Sequence, residues 1–134
     1  MKALCNREGL LTAFGAVSSV VPARSPKPIL QNVKLVVDAE AGSILMATDM
    51  EVGIRHRVLG VKVEQPGEVI LPKERVSSIL RTCPDEELAI EATAEQIIIR
   101  GLHARFTLPA EDPWQFPSVP DFTAAGYHVI AAAE

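Results

Sequence analysis

The 134-residue chain lacks the features of a membrane or secreted protein. No apolar run reaches the roughly 18 residues that a membrane-spanning helix needs. The longest candidate, residues 10–21, is interrupted by polar residues, and no small-x-small cleavage pattern follows it, which argues against a signal peptide. Cys5 and Cys83 are the only cysteines, and they predict two buried thiols rather than a disulfide framework. We therefore expect a cytoplasmic protein without a membrane segment.

Positive charge and aromatic rings are scarce as well. Thirteen Lys and Arg residues against seventeen Asp and Glu residues give a net charge of −4, and the pI is about 5.4. A protein that grips nucleic acid across its whole surface is usually basic, and a platform that stacks single strands needs more aromatic residues than the 4% found here. These deficits exclude whole-surface electrostatic binding but leave room for a local basic face.

The motifs of common catalytic and cofactor sites are also missing. The sequence has no glycine-rich phosphate loop, no GxSxG around its serine pairs, and no HxxxH or HExxH spacing among its three histidines. Asp49 and Glu51 are a candidate carboxylate pair for acid–base chemistry, although the polar end of a hairpin is the simpler interpretation. We therefore expect no catalytic site, no metal site and no cofactor, with an acid–base enzyme as the weaker alternative.

What the sequence does contain is one order of elements that occurs twice. In each half, a short apolar strand precedes an amphipathic helix, and three strands of alternating polarity come after it. The helices begin after Asn6 and at Pro72. Two such βαβββ units predict an α+β fold with a single sheet that carries both helices on one face. The predicted strands are residues 1–5, 33–37, 44–48, 52–63, 68–71, 88–92, 96–101 and 105–108.

A proline-rich segment at residues 109–120 predicts a linker or domain boundary. Residues 127–130 then have the pattern of a new strand, for which the sequence supplies no following partner. We expect a first domain at residues 1–120, and at residues 121–134 a linker with the opening strand of a truncated second domain.

Basic side chains concentrate on the two predicted helices and in the loop after the first. Arg7 lies on the first helix, Arg24 in the loop, and Lys73 and Arg81 on the second helix, away from its apolar stripe or at its flanks. If both helices cover one face of a sheet, these four charges would collect there. Helix surfaces are ordinarily charged, so the residues alone leave open a DNA-facing surface or a protein-interaction scaffold that never meets DNA.

Several motifs occur here in an order that points to one family. They are REGLLTAFGAVSSVV, RSPKPIL, ATDMEVGI, LPKERVSSILRTCP, RFTL and FP. By their order and spacing, the chain resembles the first domain of the bacterial sliding clamp, the β subunit of DNA polymerase III, over essentially its whole length. The resemblance implies three domains of doubled βαβββ order in each subunit and a ring of two subunits around duplex DNA.

The function implied by the resemblance is that of a replication processivity factor without a catalytic site. Such a ring would tether DNA polymerase III to DNA of any sequence. A ring that holds DNA by topology needs only a weakly basic lining. Phosphate contacts carry no base identity, which suits a ring that must work on DNA of any sequence. The implied partners are double-stranded DNA and a second clamp subunit, while the polymerase and the clamp loader would bind through domains outside this sequence.

The resemblance also assigns roles to individual residues. The positions that match the subunit interface are Arg75, Arg105, Phe106 and Leu108. The DNA-facing candidates are Arg24, Arg81, Lys73 and Arg7, of which Arg24 matches an arginine that touches DNA. Without the resemblance, Phe106 and Leu108 would be interpreted as core residues, because apolar strand positions usually face the core.

Overall fold

The computed structural model of the chain describes residues 1–22, 28–40, 42–49, 52–102 and 104–117. These ranges contain two α-helices, α1 (Arg7–Ser18) and α2 (Lys73–Thr82), and short 3₁₀ turns at Pro28–Gln31 and Pro113–Gln115. No helix among the described residues is long and apolar enough to cross a membrane. The strands are β1 (Lys2–Asn6), β2 (Asn32–Val37), β3 (Ser43–Thr48), β4 (Gly53–Val58), β5 (Val61–Gln65), β6 (Gly67–Pro72), β7 (Glu87–Ala92), β8 (Gln96–Arg100) and β9 (Arg105–Pro109).

Both helices begin where the sequence predicts. At the start of α1, the Asn6 side chain accepts a hydrogen bond from the Gly9 N–H at 2.9 Å, and Glu8 places a negative charge in the first turn. Helix α2 comes directly after Pro72 and ends before Pro84. The apolar stripes that the sequence predicts are buried, namely Leu10, Phe14, Val17 and Val21 for the first helix and Val76, Ile79, Leu80 and Cys83 for the second. Leu11, which widens the first stripe, is partly buried.

The strands form two antiparallel sheets, so the α+β class is confirmed while the expectation of one sheet is wrong. The strand orders are β5-β1-β7-β8-β9 and β4-β3-β2-β6. Each unit gives its opening strand to the other unit: β1 pairs with β7, and β6 pairs with β2. In addition, the strand predicted at residues 52–63 is broken into β4 and β5, because Gly60 turns the chain with φ at +75°.

The two helices contact each other and share one hydrophobic core with the inner faces of both sheets. A second, smaller apolar cluster involves Met46 of β3 and Ile70 of β6, whose strand neighbours face the main core. Since successive strand residues point to opposite faces, this cluster lies on the outer face of the four-stranded sheet. Phe116, from beyond β9, completes it and is 5% exposed.

Residues 109–117 are held against the domain, unlike the linker that the sequence predicts. Pro109 closes β9, the Ala110 N–H donates to the Glu95 carbonyl at 3.1 Å, and Phe116 is buried in the second cluster. Prolines were the basis of the linker prediction, but buried apolar contacts decide the outcome here. The strand predicted at residues 127–130 lies outside the described residues.

Candidate functional sites

The basic residues predicted to face DNA divide between the two ends of α2. Arg24 lies outside the described residues. Lys73 is the first residue of α2 and Arg81 lies in its last turn, so about 12 Å of helix axis separates them. Arg7, at the start of α1, reaches the Arg81 end of α2.

The Arg7 guanidinium links the start of α1 to the end of α2. Its Nε donates to the Asp85 carbonyl at 2.9 Å, and its Nη1 donates to the Leu80 carbonyl at 3.0 Å. The Arg7 backbone N–H also donates to the Glu86 carbonyl at 2.8 Å. Carbonyls at a helix C-terminus lack partners within the helix and carry partial negative charge. Arg7 therefore caps the end of α2, which the predicted role in DNA binding did not anticipate.

Lys73 and Arg81 remain available to an anion. The Lys73 Nζ is 3.9 Å from the Glu74 carboxylate, but the Glu74 side chain is 91% exposed, so this ion pair is weak. Arg81 is exposed, and its charge also suits the C-terminal end of the helix dipole. Helix α2 carries three cations and one carboxylate in its ten residues, whereas the exposed side chains of α1 include no cation. Since Arg75 lines a groove beside β9, the mild positive face of α2 consists of Lys73 and Arg81.

The four residues predicted for the subunit interface line one open groove of about 570 Å³ between α2 and β9. Arg75 comes from α2, while Arg105, Phe106 and Leu108 come from β9. Among the described strands, β9 pairs only with β8, so it lies at the edge of the five-stranded sheet as its sequence position predicts. A groove beside an open sheet edge is a geometry that a second chain can fill.

The two apolar residues of β9 differ in depth, although they share a face. Leu108 is 5% exposed and belongs to the main core, although it also lines the groove, so its assignment to the subunit interface stays a prediction. Phe106 packs against the rim of the core and remains partly exposed. Both residues line the groove, together with Ile79 of α2.

Of the candidate acid pair, Asp49 lies within the described residues, and its side chain stabilises a turn. The exposed Asp49 side chain accepts a hydrogen bond from the Val52 N–H at 2.7 Å, and the Thr48 hydroxyl donates to the Val52 carbonyl at 2.9 Å. These bonds hold the turn between β3 and β4, in keeping with the polar hairpin end. Glu51 lies outside the described residues, and the described residues contain no group of three metal-ligating side chains.

Comparison with known proteins identifies the family of this chain. Residues 1–120 match the family described as the DNA polymerase III beta subunit, N-terminal domain. The chain belongs to this family. The beta sliding clamp of Escherichia coli is 34% identical over 126 residues, which are 91% of this chain and 33% of the relative. The beta sliding clamp of Pseudomonas aeruginosa is 33% identical over 116 residues, which are 86% of this chain and 31% of the relative.

The solved structures of this family have the same fold. The crystal structure of the P. aeruginosa DNA polymerase III subunit beta superposes with a TM-score of 0.82 at 30% identity, covering 90% of this chain and 33% of that one. A DNA polymerase III beta subunit from Eubacterium rectale gives a TM-score of 0.84 at 30% identity, covering 90% and 32%. This clamp-family chain therefore spans about a third of the length of the relatives it matches.

Two features of these sites could not be found from the sequence. The hydrogen bonds of Arg7 reach carbonyls more than 70 positions away, and no local pattern signals such a contact. Ile79 appears in the sequence as one member of an apolar helical stripe, yet it also lines the β9 groove. Only the packing of α2 beside β9 gives it that second position.

Proposed function

We propose that this domain is part of a ring-shaped sliding clamp that encircles duplex DNA and tethers DNA polymerase III without catalysing a reaction. The observation that carries the proposal is the groove between α2 and the open edge strand β9. It offers main-chain pairing, an apolar side chain and two arginines at one place, which is what a ring joint requires.

The chemistry of the groove specifies its partner. Arg75 and Arg105 are exposed and line the same groove, so the partner subunit should bring carboxylates. Phe106 offers a partly exposed aromatic ring, the kind of side chain that anchors interfaces when it enters a pocket. We assign the groove to a second clamp subunit, which closes the ring.

The DNA side is assigned from the mild positive face of α2. We assign phosphate contacts to Arg81 and Lys73 and, from the resemblance, to Arg24. Arg7 contributes to this face mainly by holding the start of α1 against the end of α2. A few such contacts give weak binding without sequence preference, which suits a ring that must slide.

The remaining assignments concern the chain as a whole. We assign residues 1–120 to the first clamp domain and residues 121–134 to the linker and opening strand of the second, in a protein that works in the cytoplasm. The polymerase and the clamp loader would bind through domains outside this sequence. A scaffold that never meets DNA is the competing function, and retention on circular DNA separates the two.

The decisive test is topological. The complete protein, loaded onto nicked circular DNA, should remain bound through washes at raised salt and should leave when one cut linearises the circle. A conventional DNA-binding protein would respond to salt alone and stay after linearisation. A scaffold would bind neither form, and either result would overturn the proposal.

The joint is tested by substitution in the complete protein. A ring of two subunits has two identical joints, and Phe106→Ala should weaken each of them roughly 30-fold, because an interface anchor contributes about 2 kcal/mol. The dimer should therefore weaken on the order of 1,000-fold, which sedimentation by analytical ultracentrifugation measures. Leu102→Ala is the matched control, since Leu102 is 84% exposed and lies outside the groove. Circular dichroism should show both variants folded.

Leu108→Ala separates core from interface. It should lower the free energy of unfolding by about 2–5 kcal/mol, because it leaves a cavity in the core. If Phe106→Ala and Leu102→Ala leave the dimer equally stable, the groove is not part of the ring joint.

A further inference from the structure

Residues 110–117, which we call the strap, are fixed at several points along their length. The Asn32 side chain, itself 8% exposed, donates from Nδ2 to the Glu111 carboxylate at 3.0 Å. The Ala110 N–H donates to the Glu95 carbonyl at 3.1 Å. At the far end, Phe116 is buried against Met46 and Ile70 on the outer face of the four-stranded sheet. The strap is therefore part of the folded domain.

Within the strap, a capped 3₁₀ turn determines where the side chains point. The Asp112 side chain accepts from the Trp114 N–H at 3.0 Å, and Pro113 opens the turn. The Phe116 N–H donates to the Pro113 carbonyl at 3.2 Å. Phe116 comes directly after the turn with an extended backbone. Its side chain is buried on the sheet, whereas Trp114, within the turn, is exposed to solvent.

Trp114 is 90% exposed, the highest exposure among the large hydrophobic side chains of the described residues. It is also the single tryptophan of the sequence. A covered tryptophan removes roughly 150–250 Å² from water, and one held rigid beforehand loses little conformational freedom on binding. Tryptophan is accordingly enriched among the residues that dominate interfaces.

We propose that Trp114 is the docking residue through which this domain packs against the next domain of its own polypeptide. This rests on the proposed function only in taking the chain as the first part of a clamp. Curated relatives are about three times as long, since the chain covers 31–33% of them. Trp114 lies three residues before the end of the described range, so the next domain would be tethered beside it at a high effective concentration.

The charge around Trp114 defines the surface that should cover it. Glu111 and Asp112 are exposed carboxylates immediately before the turn, and Glu95 is exposed where it holds the strap. The matching surface on the next domain should be an apolar pocket with lysine or arginine at its rim. An exposed acidic surface of this kind also disfavours contact with DNA phosphates, so the strap is a protein-facing element.

The first test uses Trp114 as its own probe in the complete protein. Subtracting the fluorescence of Trp114→Phe from that of the wild type isolates the emission of Trp114. We expect emission at shorter wavelength and acrylamide quenching several-fold slower than for N-acetyltryptophanamide. Quenching at the rate of the free compound would overturn the proposal. Protection that disappears on dilution to single subunits would also overturn it, because a second copy would then be the partner.

The second test measures docking itself. Trp114→Ala in the complete protein should raise the rate of protease cleavage just after the strap by roughly 10- to 30-fold, as expected for loss of an interface anchor. Gln115→Ala, an exposed change in the same turn, is the matched control and should leave the rate unchanged. Equal rates for the two variants would contradict the proposal. Both measurements are independent of DNA, so failure of the ring to retain DNA leaves their outcome unaffected.

Discussion

The thiol of Cys5 is fully buried on β1, the second strand of the five-stranded sheet, where the residue pairs with Val61 of β5 and Leu88 of β7. Burial disfavours the thiolate and raises the pKa of Cys5 to about 12 from an ordinary value of 9.0. The thiol is therefore neutral and unreactive in the folded protein, and its role is that of a small core side chain.

The raised pKa of Cys5 makes stability depend on pH in the alkaline range. Between about pH 9 and pH 12, the unfolded chain loses the thiol proton while the folded chain keeps it, so the free energy of unfolding falls as pH rises. Below pH 9, both states hold the proton and the contribution is constant. Between pH 8 and pH 10, the free energy of unfolding should fall by roughly 1 kcal/mol more in the wild type than in Cys5→Ala. Urea unfolding at both pH values measures the difference, and identical losses would show that Cys5 titrates normally.

At the scale of residues, the sequence predicts which face of a strand a side chain occupies, but it does not predict how deeply that side chain is buried. The alternation in β9 correctly places Phe106 and Leu108 on one face. It does not show that Leu108 is buried in the core while Phe106 stays partly exposed, because burial depends on contacts between elements that are distant in the sequence. Arg7 is similar: its position on the first helix was predictable, but its bonds to the Leu80 and Asp85 carbonyls were not.

At the scale of elements, one side chain adds a polar link to the apolar contact between α1 and α2. Arg7 supplies two donors to carbonyls at the end of α2, where no helix amide can reach. The start of α1 is thereby fixed against the end of α2, and the two helices keep a common orientation. Arg81, one residue beyond Leu80, has its position set by the same contact.

We therefore expect Arg7 and Arg81 to separate stability from DNA binding. Arg7→Ala should lower the free energy of unfolding by about 1–3 kcal/mol, because it leaves two carbonyls without partners. Arg81→Ala should change it by less than about 0.5 kcal/mol, since its side chain is exposed. In the complete protein, Arg81→Ala should reduce the salt slope of DNA binding by about 1. Chemical denaturation and salt titration, run on both variants, test the assignment; a stable Arg7→Ala that reduces the slope would return Arg7 to the DNA face.

The sequence predicts the elements well and their association less well. Helix starts at Asn6 and Pro72 are signalled by a capping side chain and by a proline, and both lie where the structure has them. The exchange of β1 and β6 between the two units has no local signal, since each is a short apolar strand that fits either partner. The break at Gly60 was concealed because residues 52–63 keep alternating in polarity on both sides of the turn.

At the scale of the molecule, the acidic net charge and a DNA-related role are compatible. The chain carries −4 overall, but α2 gathers three of its cations on one element. Glu74 is the one carboxylate on α2, and other exposed acidic residues lie away from this helix, for example on the strap, where negative charge disfavours contact with DNA phosphates. Such a distribution gives weak attraction on one face, and a closed ring needs no more than that to stay on DNA.

This leads to a quantitative expectation for the 134-residue chain by itself, which cannot enclose DNA. With Arg24, Lys73 and Arg81 as its phosphate contacts, the logarithm of its affinity should fall with the logarithm of salt concentration at a slope of about −2.7. Affinity should drop roughly 40-fold between 50 and 200 mM salt, and the dissociation constant should lie at or beyond the weak end of about 10⁻⁴–10⁻⁶ M. Fluorescence anisotropy with two labelled duplexes of unrelated sequence measures this, and both should give the same curve because phosphates carry no base identity. Tight binding, a flat salt response or a preference for one duplex would mean that the domain grips DNA directly, and the ring would then not be needed to explain retention.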